Sequence, residues 1–406
     1  MEAGRPMISF DEAESKVLAN IQEIRKTEIV PLEKSIGRFL AENVVCDRDI
    51  PPFNRSAMDG YAIKDEDVGK SLKITEILPA GSVASCKVEK GTCIKIMTGA
   101  VMPEGAERVV MVEYSKESSG YVKFNVSKNQ LRSRNYALKG EDLKKGEVAI
   151  SAGTVISPSH IPTLASLGKY NISTVKKPVV GIIATGDEII EPWETPSKEQ
   201  IRNANSWQLI AQIERAGGTP LYKGIVKDEI DLIKKVINET AEESEIVLIT
   251  GGVSMGDYDL GGKAVRELGY DVLFDSVAVK PGKPTTFAVR SNVSRKKDIL
   301  FGMPGNPLSV FIIFEILVRP AIEKMNGGGG HICTETNLIL EESFSRKKGT
   351  RDEWVPAKLS KTGGITPLKY NGSGHFHILA KADAVFKIEK GCLELKKGDK
   401  ASVRYI

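Results

Sequence analysis

Cysteine, histidine and long apolar runs are what this chain has least of, and each shortage removes a class of protein. Five cysteines in 406 residues, Cys46, Cys86, Cys93, Cys333 and Cys392, are odd in number and scattered. None forms a CxxC pair or has a histidine at zinc-finger spacing, so they read as reduced thiols and not as a disulfide framework or structural zinc site. The longest apolar stretch, Val310 to Val318, is interrupted by Glu315 and is too short to cross a bilayer. The opening MEAGRPMISFDEAESK has no apolar core followed by a cleavage site, so the expectation is a cytoplasmic protein without a membrane span. Charge of one sign is also missing. With 57 Lys and Arg against 53 Asp and Glu, the net charge of +4 suits anionic small molecules but lacks the dense basic patch of a nucleic-acid binder. No repeat or low-complexity tract stands out. What remains, 41% apolar and 27% charged residues, describes a globular chain long enough for about two to four domains.

The densest chemistry lies in Glu245 to Asp259, EIVLITGGVSMGDYD. Ile246-Val247-Leu248-Ile249 is an unbroken apolar run of the kind carried by a strand covered on both faces, and it stops at Thr250-Gly251-Gly252. Lacking Cβ atoms, Gly251 and Gly252 can turn through positive φ and let an anion approach the backbone amides. Asp257 and Asp259 follow, just before a helical stretch reaching Leu268. Amides suited to an oxyanion thus stand beside carboxylates suited to a cation, as a phosphate and its Mg²⁺ would require. Lys280-Pro281-Gly282-Lys283-Pro284 cannot be helical and holds two lysines on a stiff loop. Ile299 to Phe301 then leads into Gly302-Met303-Pro304-Gly305-Asn306-Pro307. Asn306 suits an N-cap and Pro307 the first position of a helix running to Met325, whose unpaired amides add a third anion-binding terminus. Ligands of open α/β sheets bind at the carboxyl ends of strands, where all three loops fall.

Along the chain, Ser9 to Glu12 offers a capping box, and Ala13, Val17, Ile21 and Ile24 continue at helical spacing. A second helix is expected over Leu32 to Ala41. From Val44 short alternating runs take over, with Leu72 to Ile77, Thr92 to Met97, and Val109 to Glu113 expected to pair with Tyr121 to Val126. Helical pattern returns at Ser159 to Leu167. After Lys176-Lys177-Pro178, strands and helices alternate singly from Val179 to Met325, which implies parallel pairing and a three-layer α/β/α domain with the Gly-Gly turn. Val272 to Arg290 adds a hairpin around KPGKP. Gly327 to Gly330 is a flexible joint. The expected organisation is multidomain α/β plus β: an elongated helical linker domain (1–45 and 140–177), an inserted β-rich domain (46–139), the α/β domain (178–326) and a small barrel-like β domain (331–406).

Several polar turns stand outside these loops. Pro51 to Ala62, Met97-Thr98-Gly99-Ala100, Gly140-Glu141-Asp142 and Thr185-Gly186-Asp187-Glu188 read singly as turn chemistry. Asp187 and Glu188, however, directly follow a buried strand, where a carboxylate can serve a ligand or metal. His375-Phe376-His377 would place two imidazoles on one face of a strand, without a third metal ligand in sight.

Taken together, PPFNRSAMDGYAI, IMTGAVMPEGAERVV, GEDLKKGE, ATGDEI, TGGVSMGDYD, VKPGKPTTFA and GMPGNPLSV resemble, in order and spacing and over essentially the whole length, the molybdopterin molybdotransferase (MoeA) family, which includes the E domain of gephyrin. The resemblance implies a homodimer of four-domain subunits, with the α/β domain of one chain facing the inserted β module of the other. It implies Mg²⁺-dependent insertion of molybdate, or tungstate, into adenylylated molybdopterin with release of AMP. Asp142, Glu188, Asp228, Asp257 and Asp259 match the family's acidic and metal positions. Lys280, Lys283, Gly251, Gly252, Ser254, Pro304, Asn306 and Pro307 match its substrate-binding motifs, and Lys283, Ser309 and Arg351 match positions associated with the oxyanion. Asp59 and Thr98 would reach in from the partner. An adenylyltransferase of the same pathway and cofactor-accepting apoenzymes are the implied further partners. Two departures stand out: Asn203-Ala204-Asn205 where the family commonly has Asp-Ser-Asn, and His377 where a Ser is common. The rival readings are the adenylylation step itself, whose enzymes share the α/β domain but usually lack the three others, and a gephyrin-like non-catalytic dimeric scaffold.

Overall fold

The computed structural model describes residues 6–251, 260–291, 297–327, 335–370, 372 and 374–406. The chain forms two units: 1–41 with 153–157 and 171–406, and 42–152 with 158–170. The first opens on helix α1 (Phe10–Asn20), capped by the Ser9 hydroxyl, which accepts from the Glu12 amide at 3.2 Å. Such a cap stabilises a helix by about 1 kcal/mol. The helix expected over Leu32 to Ala41 does not form. A single 3₁₀ turn, Leu32–Lys34, precedes Gly37, whose φ of 75° ends any helical run. Phe39 and Leu40 instead bridge to Val155 and Thr174, because pairing with distant strands outweighs weak local propensity.

The second unit is built on a six-stranded sheet from β1 (Gly60–Ile63), β2 (Ser71–Leu78), β3 (Thr92–Ile96), β4 (Arg108–Met111), β5 (Ser115–Ser118) and β6 (Tyr121–Phe124), in the order β4-β1-β3-β2-β6-β5. Val109 and Val110 therefore pair with β1, not with the 121–126 segment as expected from sequence. Tyr121 to Phe124 turn back on the intervening Ser115–Ser118 and pair with β2 on the other side. A short solvent-facing strand of Ser, Lys and Glu carries no apolar signal, so its tight hairpin with β6 escapes the alternation pattern.

In the first unit, β7 (Val179–Thr185), α2 (Ala204–Arg215), β8 (Thr219–Val226), α3 (Ile230–Glu243), β9 (Ile246–Thr250), α4 (Leu260–Glu267), β10 (Asp271–Phe274), β11 (Thr286–Ser291), β12 (Lys297–Met303) and α5 (Pro307–Ile313) follow in sequence. The sheet runs β8-β7-β9-β12-β11-β10, its first four strands parallel and its last two antiparallel to their neighbours. Alternate residues feed two cores. Ile182, Leu248 and Phe301 pack with Leu209 and Ile213 of α2, while Ile183, Val247 and Leu300 pack with Ile233 of α3 and Val265 of α4. Each fully buried side chain of this kind contributes roughly 1.5–3 kcal/mol, which locks the register of the strand ends.

Past α5 the helix continues through a π-turn, Phe314–Val318, into Arg319–Met325. Glu315 in that turn is buried; its carboxylate accepts from Gln212 Nε2 at 2.6 Å and pairs with Arg215 and, at 3.1 Å, Arg319. Three donors compensate the buried carboxylate, and the cluster fixes α2 against the helix after α5. A further six-stranded sheet includes β13 (Thr336–Ile339), β14 (Asp352–Leu359), β15 (Ala384–Ile388) and β16 (Lys400–Tyr405), with Ile365–Pro367 paired to β14. Val279–Lys280, from the loop between β10 and β11, joins its edge by pairing parallel to β14. The expected hairpin thus exists, but its connection leaves the parallel sheet and becomes part of the last one. His375 and His377 do not share a strand; they stand at the start of a 3₁₀ helix, Phe376–Lys381. No helix among the described residues is long and apolar enough to cross a membrane.

Candidate functional site

Four parallel strands end in register. Thr185 of β7 stands opposite Val226 of β8, Ala184 opposite Thr250 of β9, and Thr250 opposite Met303 of β12. At the usual spacing between strands, these ends span roughly 15 Å. Glu188, Asp228, Gly251 and the Pro304–Pro307 loop therefore leave one edge of one sheet, as the strand-end reading requires.

Gly251 turns with φ 91°, and a Cβ there would lie 2.1 Å from the Thr185 carbonyl oxygen. Only glycine lets β9 leave its neighbour at that angle. Beside it, the Asp228 amide meets Asp187 Oδ1 at 3.4 Å. Although the Asp228 side chain reaches solvent, partial desolvation by the strand ends and then the charges of Asp187 and Glu188 hold its carboxyl above the ordinary value. Negative charge is concentrated there, and among the described residues no cation figures in the environment that shifts Asp228. Buried Thr185 Oγ1 and Asn205 Oδ1 nearby have no hydrogen-bond partner among the described residues. Hard oxygens and uncompensated charge fit Mg²⁺, which takes one or two carboxylates and leaves its other positions to water and phosphate. No group of three or more metal-ligating side chains exists among the described residues. Gly252, Ser254, Asp257 and Asp259 lie outside them.

The Asn203 departure acquires a role. Its carboxamide oxygen accepts from the Ser206 amide at 3.1 Å and caps α2, while its Nδ2 donates to the Tyr222 hydroxyl. Asn205 Nδ2 donates to Thr250 Oγ1 at 2.9 Å and to the Gly305 carbonyl at 2.8 Å, joining the end of β9 to the loop after β12.

That loop forms one wall of a cleft of about 1310 Å³ lined by Lys280, Lys283, Pro304, Asn306, Ser309 and Arg351 of the expected set. Pro307 follows as the first residue of α5. Lys280 Nζ lies 2.8 Å from Glu353, whose other oxygen lies 3.4 Å from Arg346; Arg351 donates to the Val279 carbonyl at 3.0 Å. Lys283 has no ion-pair partner among the described residues, and its carbonyl accepts from the Val277 and Thr285 amides, which fixes the loop. Sequence reasoning missed Arg346, Lys347, Lys348 and Lys369, which also line the cleft. The run Ser-Arg-Lys-Lys-Gly-Thr-Arg from 345 to 351 was the available signal. Gly372 lines this cleft, whereas His377 lines a separate pocket with Phe311, Phe376 and Ile406.

In the other unit, Asp59 precedes β1 and Thr98 follows the antiparallel β3, so the two turns lie side by side. The Thr98 amide and hydroxyl donate to Asp59 Oδ1 at 2.7 and 2.8 Å and hold its carboxyl below the usual range. Asp142 is exposed on a loop anchored by its own amide, which donates to the Ile50 carbonyl at 3.0 Å.

Fold and site together define a multidomain α/β protein with a strongly cationic cleft and, in the same unit, carboxylates that follow the parallel strands. The chain matches three family models: the MoeA N-terminal region (domain I and II) over residues 8–168, the "Probable molybdopterin binding domain" over 181–324, and the MoeA C-terminal region (domain IV) over 338–405. It is 34% identical to the molybdopterin molybdenumtransferase of Bacillus subtilis across 99% of this chain and 95% of that one. Identity to the same-named protein of Staphylococcus epidermidis is 33% across 97% and 94%. Among solved structures, the molybdopterin biosynthesis moeA protein of Pyrococcus horikoshii OT3 superposes with a TM-score of 0.85 at 33% identity, covering 99% of this chain and 100% of that one. The chain belongs to the MoeA family.

Proposed function

We propose that this chain is a transferase of molybdenum-cofactor biosynthesis that inserts molybdate, or tungstate, into adenylylated molybdopterin in a Mg²⁺-dependent reaction releasing AMP. The observation that supports the reading is the cleft itself, which gathers lysines and arginines from three distant segments. The names of the full-length relatives agree with it. In this reading Lys283, Ser309 and Arg351 hold the oxyanion through charge-assisted hydrogen bonds, while Lys280, already paired with Glu353, supports the wall. Backbone amides at Gly251 and the start of α5 would bind the substrate phosphates, with Pro304 and Asn306 beside them, and the family resemblance assigns Gly252 and Ser254 to the same role.

Glu188 and Asp228 would hold Mg²⁺, which would supply polarisation of the phosphoryl oxygens of the anhydride that is split; Asp142, Asp257 and Asp259 are acidic positions that the family resemblance adds. Asp59, kept ionised by Thr98, serves the site of a second copy, making a cytoplasmic homodimer the active unit.

Purified protein given adenylylated molybdopterin, molybdate and Mg²⁺ is expected to release AMP and form metal-loaded cofactor. Glu188→Ala and Asp228→Ala are each expected to lower turnover on the order of a hundredfold with the fold retained. Pyrophosphate formed from ATP and molybdopterin would favour the adenylylation step instead. Full activity in both variants would overturn the carboxylate assignment.

A further inference from the structure

The cations of the cleft are not equivalent. Unlike Lys283, which has no ion-pair partner among the described residues, Lys280 is neutralised at 2.8 Å by Glu353, a carboxylate that lines the same cleft and is only 3% exposed. The backbone builds this pair. Lys280 stands directly opposite Glu353 in the parallel pairing of Val279–Lys280 with β14. On either side the Asp352 amide donates to the Ala278 carbonyl and Arg351 to the Val279 carbonyl, each at 3.0 Å. Strand register therefore delivers the ammonium to the carboxylate.

The other Glu353 oxygen lies 3.4 Å from Arg346, whose side chain is as buried as the carboxylate. Arg346 also donates to the Cys392, Arg351 and Glu389 carbonyls at 2.7, 2.8 and 2.6 Å, so it cannot move to compensate Glu353 more closely. A buried carboxylate stripped of its near partner is strongly unfavourable. Were the Lys280 ammonium to turn to an incoming anion, Glu353 would keep only the longer contact to Arg346. Lys280 thus stays with Glu353, and the three side chains together present the cleft with one positive charge where two cations stand.

We propose that Glu353 is the counter-charge that sets the anion affinity of the cleft, and that Lys280 acts by masking Glu353 and not by holding the oxyanion. This rests on the oxyanion reading given above and deepens it to the residue that limits the grip of the site. A cleft with every cation free would hold a dianion tightly in the ground state, which does nothing for the transfer step.

Molybdate is the probe, titrated calorimetrically into the full-length native protein, Glu353→Gln, Lys280→Met and the double variant. Counting the charges of Lys280, Glu353 and Arg346 ranks them. Glu353→Gln frees two cations and is expected to bind about tenfold more tightly than native, while Lys280→Met unmasks the carboxylate and binds about tenfold more weakly. The double variant removes one charge of each sign and returns to within about threefold of native. A double variant as weak as Lys280→Met would show that Lys280 itself holds the oxyanion, overturning the proposal. Weakened or unchanged binding in Glu353→Gln would overturn it as well. Should the glutamine variants not fold, native protein with ¹³C-methylated lysines decides: molybdate is expected to shift the Lys283 resonance and leave that of Lys280, assigned by its loss in Lys280→Met, in place. A Lys280 shift as large as that of Lys283 would refute the masking role. Failure of the native protein to bind molybdate at all would refute the oxyanion reading along with it.

Discussion

Asp228 shows how a single side chain reports on the site. A carboxyl held above its ordinary value in the folded state favours folding while protonated, below the unfolded value, and that contribution is lost as pH rises through the folded value. At neutral pH the ionised Asp228 therefore opposes folding. Asp228→Asn is expected to raise Tm in Mg²⁺-free buffer at pH 7, with the gain shrinking toward nothing as pH falls to about 4 and below. Added Mg²⁺ should stabilise the native protein more than the variant, because a cation bound by the native carboxylate stabilises the folded state. A variant that melts lower than native at neutral pH would show that Asp228 serves packing and not charge. Asp59 is the opposite case, a carboxyl kept low by two Thr98 donors. The motif match alone marked the two residues as related, and only antiparallel pairing of β1 with β3 shows how turns nearly forty residues apart become neighbours.

At the scale of elements, the turn after β9 makes the sharpest demand. Gly251→Ala adds a Cβ 2.1 Å from the Thr185 carbonyl oxygen at a φ of 91°, whereas Gly269, with φ 77°, has nothing within 4 Å of an added Cβ. Left-handed strain alone costs about 1–2 kcal/mol, so Gly269→Ala should lower Tm by a few degrees and Gly251→Ala by distinctly more. Equal melts would mean that β9 tolerates a different exit. The alternation of strands and helices from Val179 to Met325 was legible because each element is long and strongly periodic, and β9 in particular is apolar throughout. The Leu32 to Ala41 segment was misread because its structure is set by residues far along the chain, Val155 and Thr174. Lys283 was correctly seen on a proline-bounded loop, whereas Lys280 ends a short strand. That Val279–Lys280 would extend the last sheet was not legible, since edge pairing leaves no periodic trace in two residues.

On the scale of the molecule, the cleft is a product of folding and not of any one motif. Its cations come from 280–283, 346–351 and Lys369, and its opposite wall from the start of α5. Charge assembled in this way has to answer for the oxyanion, and Lys283 is the residue on which to test it. Its side chain has no ion-pair partner among the described residues, so its removal leaves the wall intact. Calorimetric titration of molybdate, with tungstate in parallel, into native protein and Lys283→Ala is the direct measurement. The native protein is expected to bind the oxyanion, and Lys283→Ala to bind it at least about tenfold more weakly at an unchanged Tm. Equal affinity in the two proteins would contradict the assignment of the cleft as the oxyanion site.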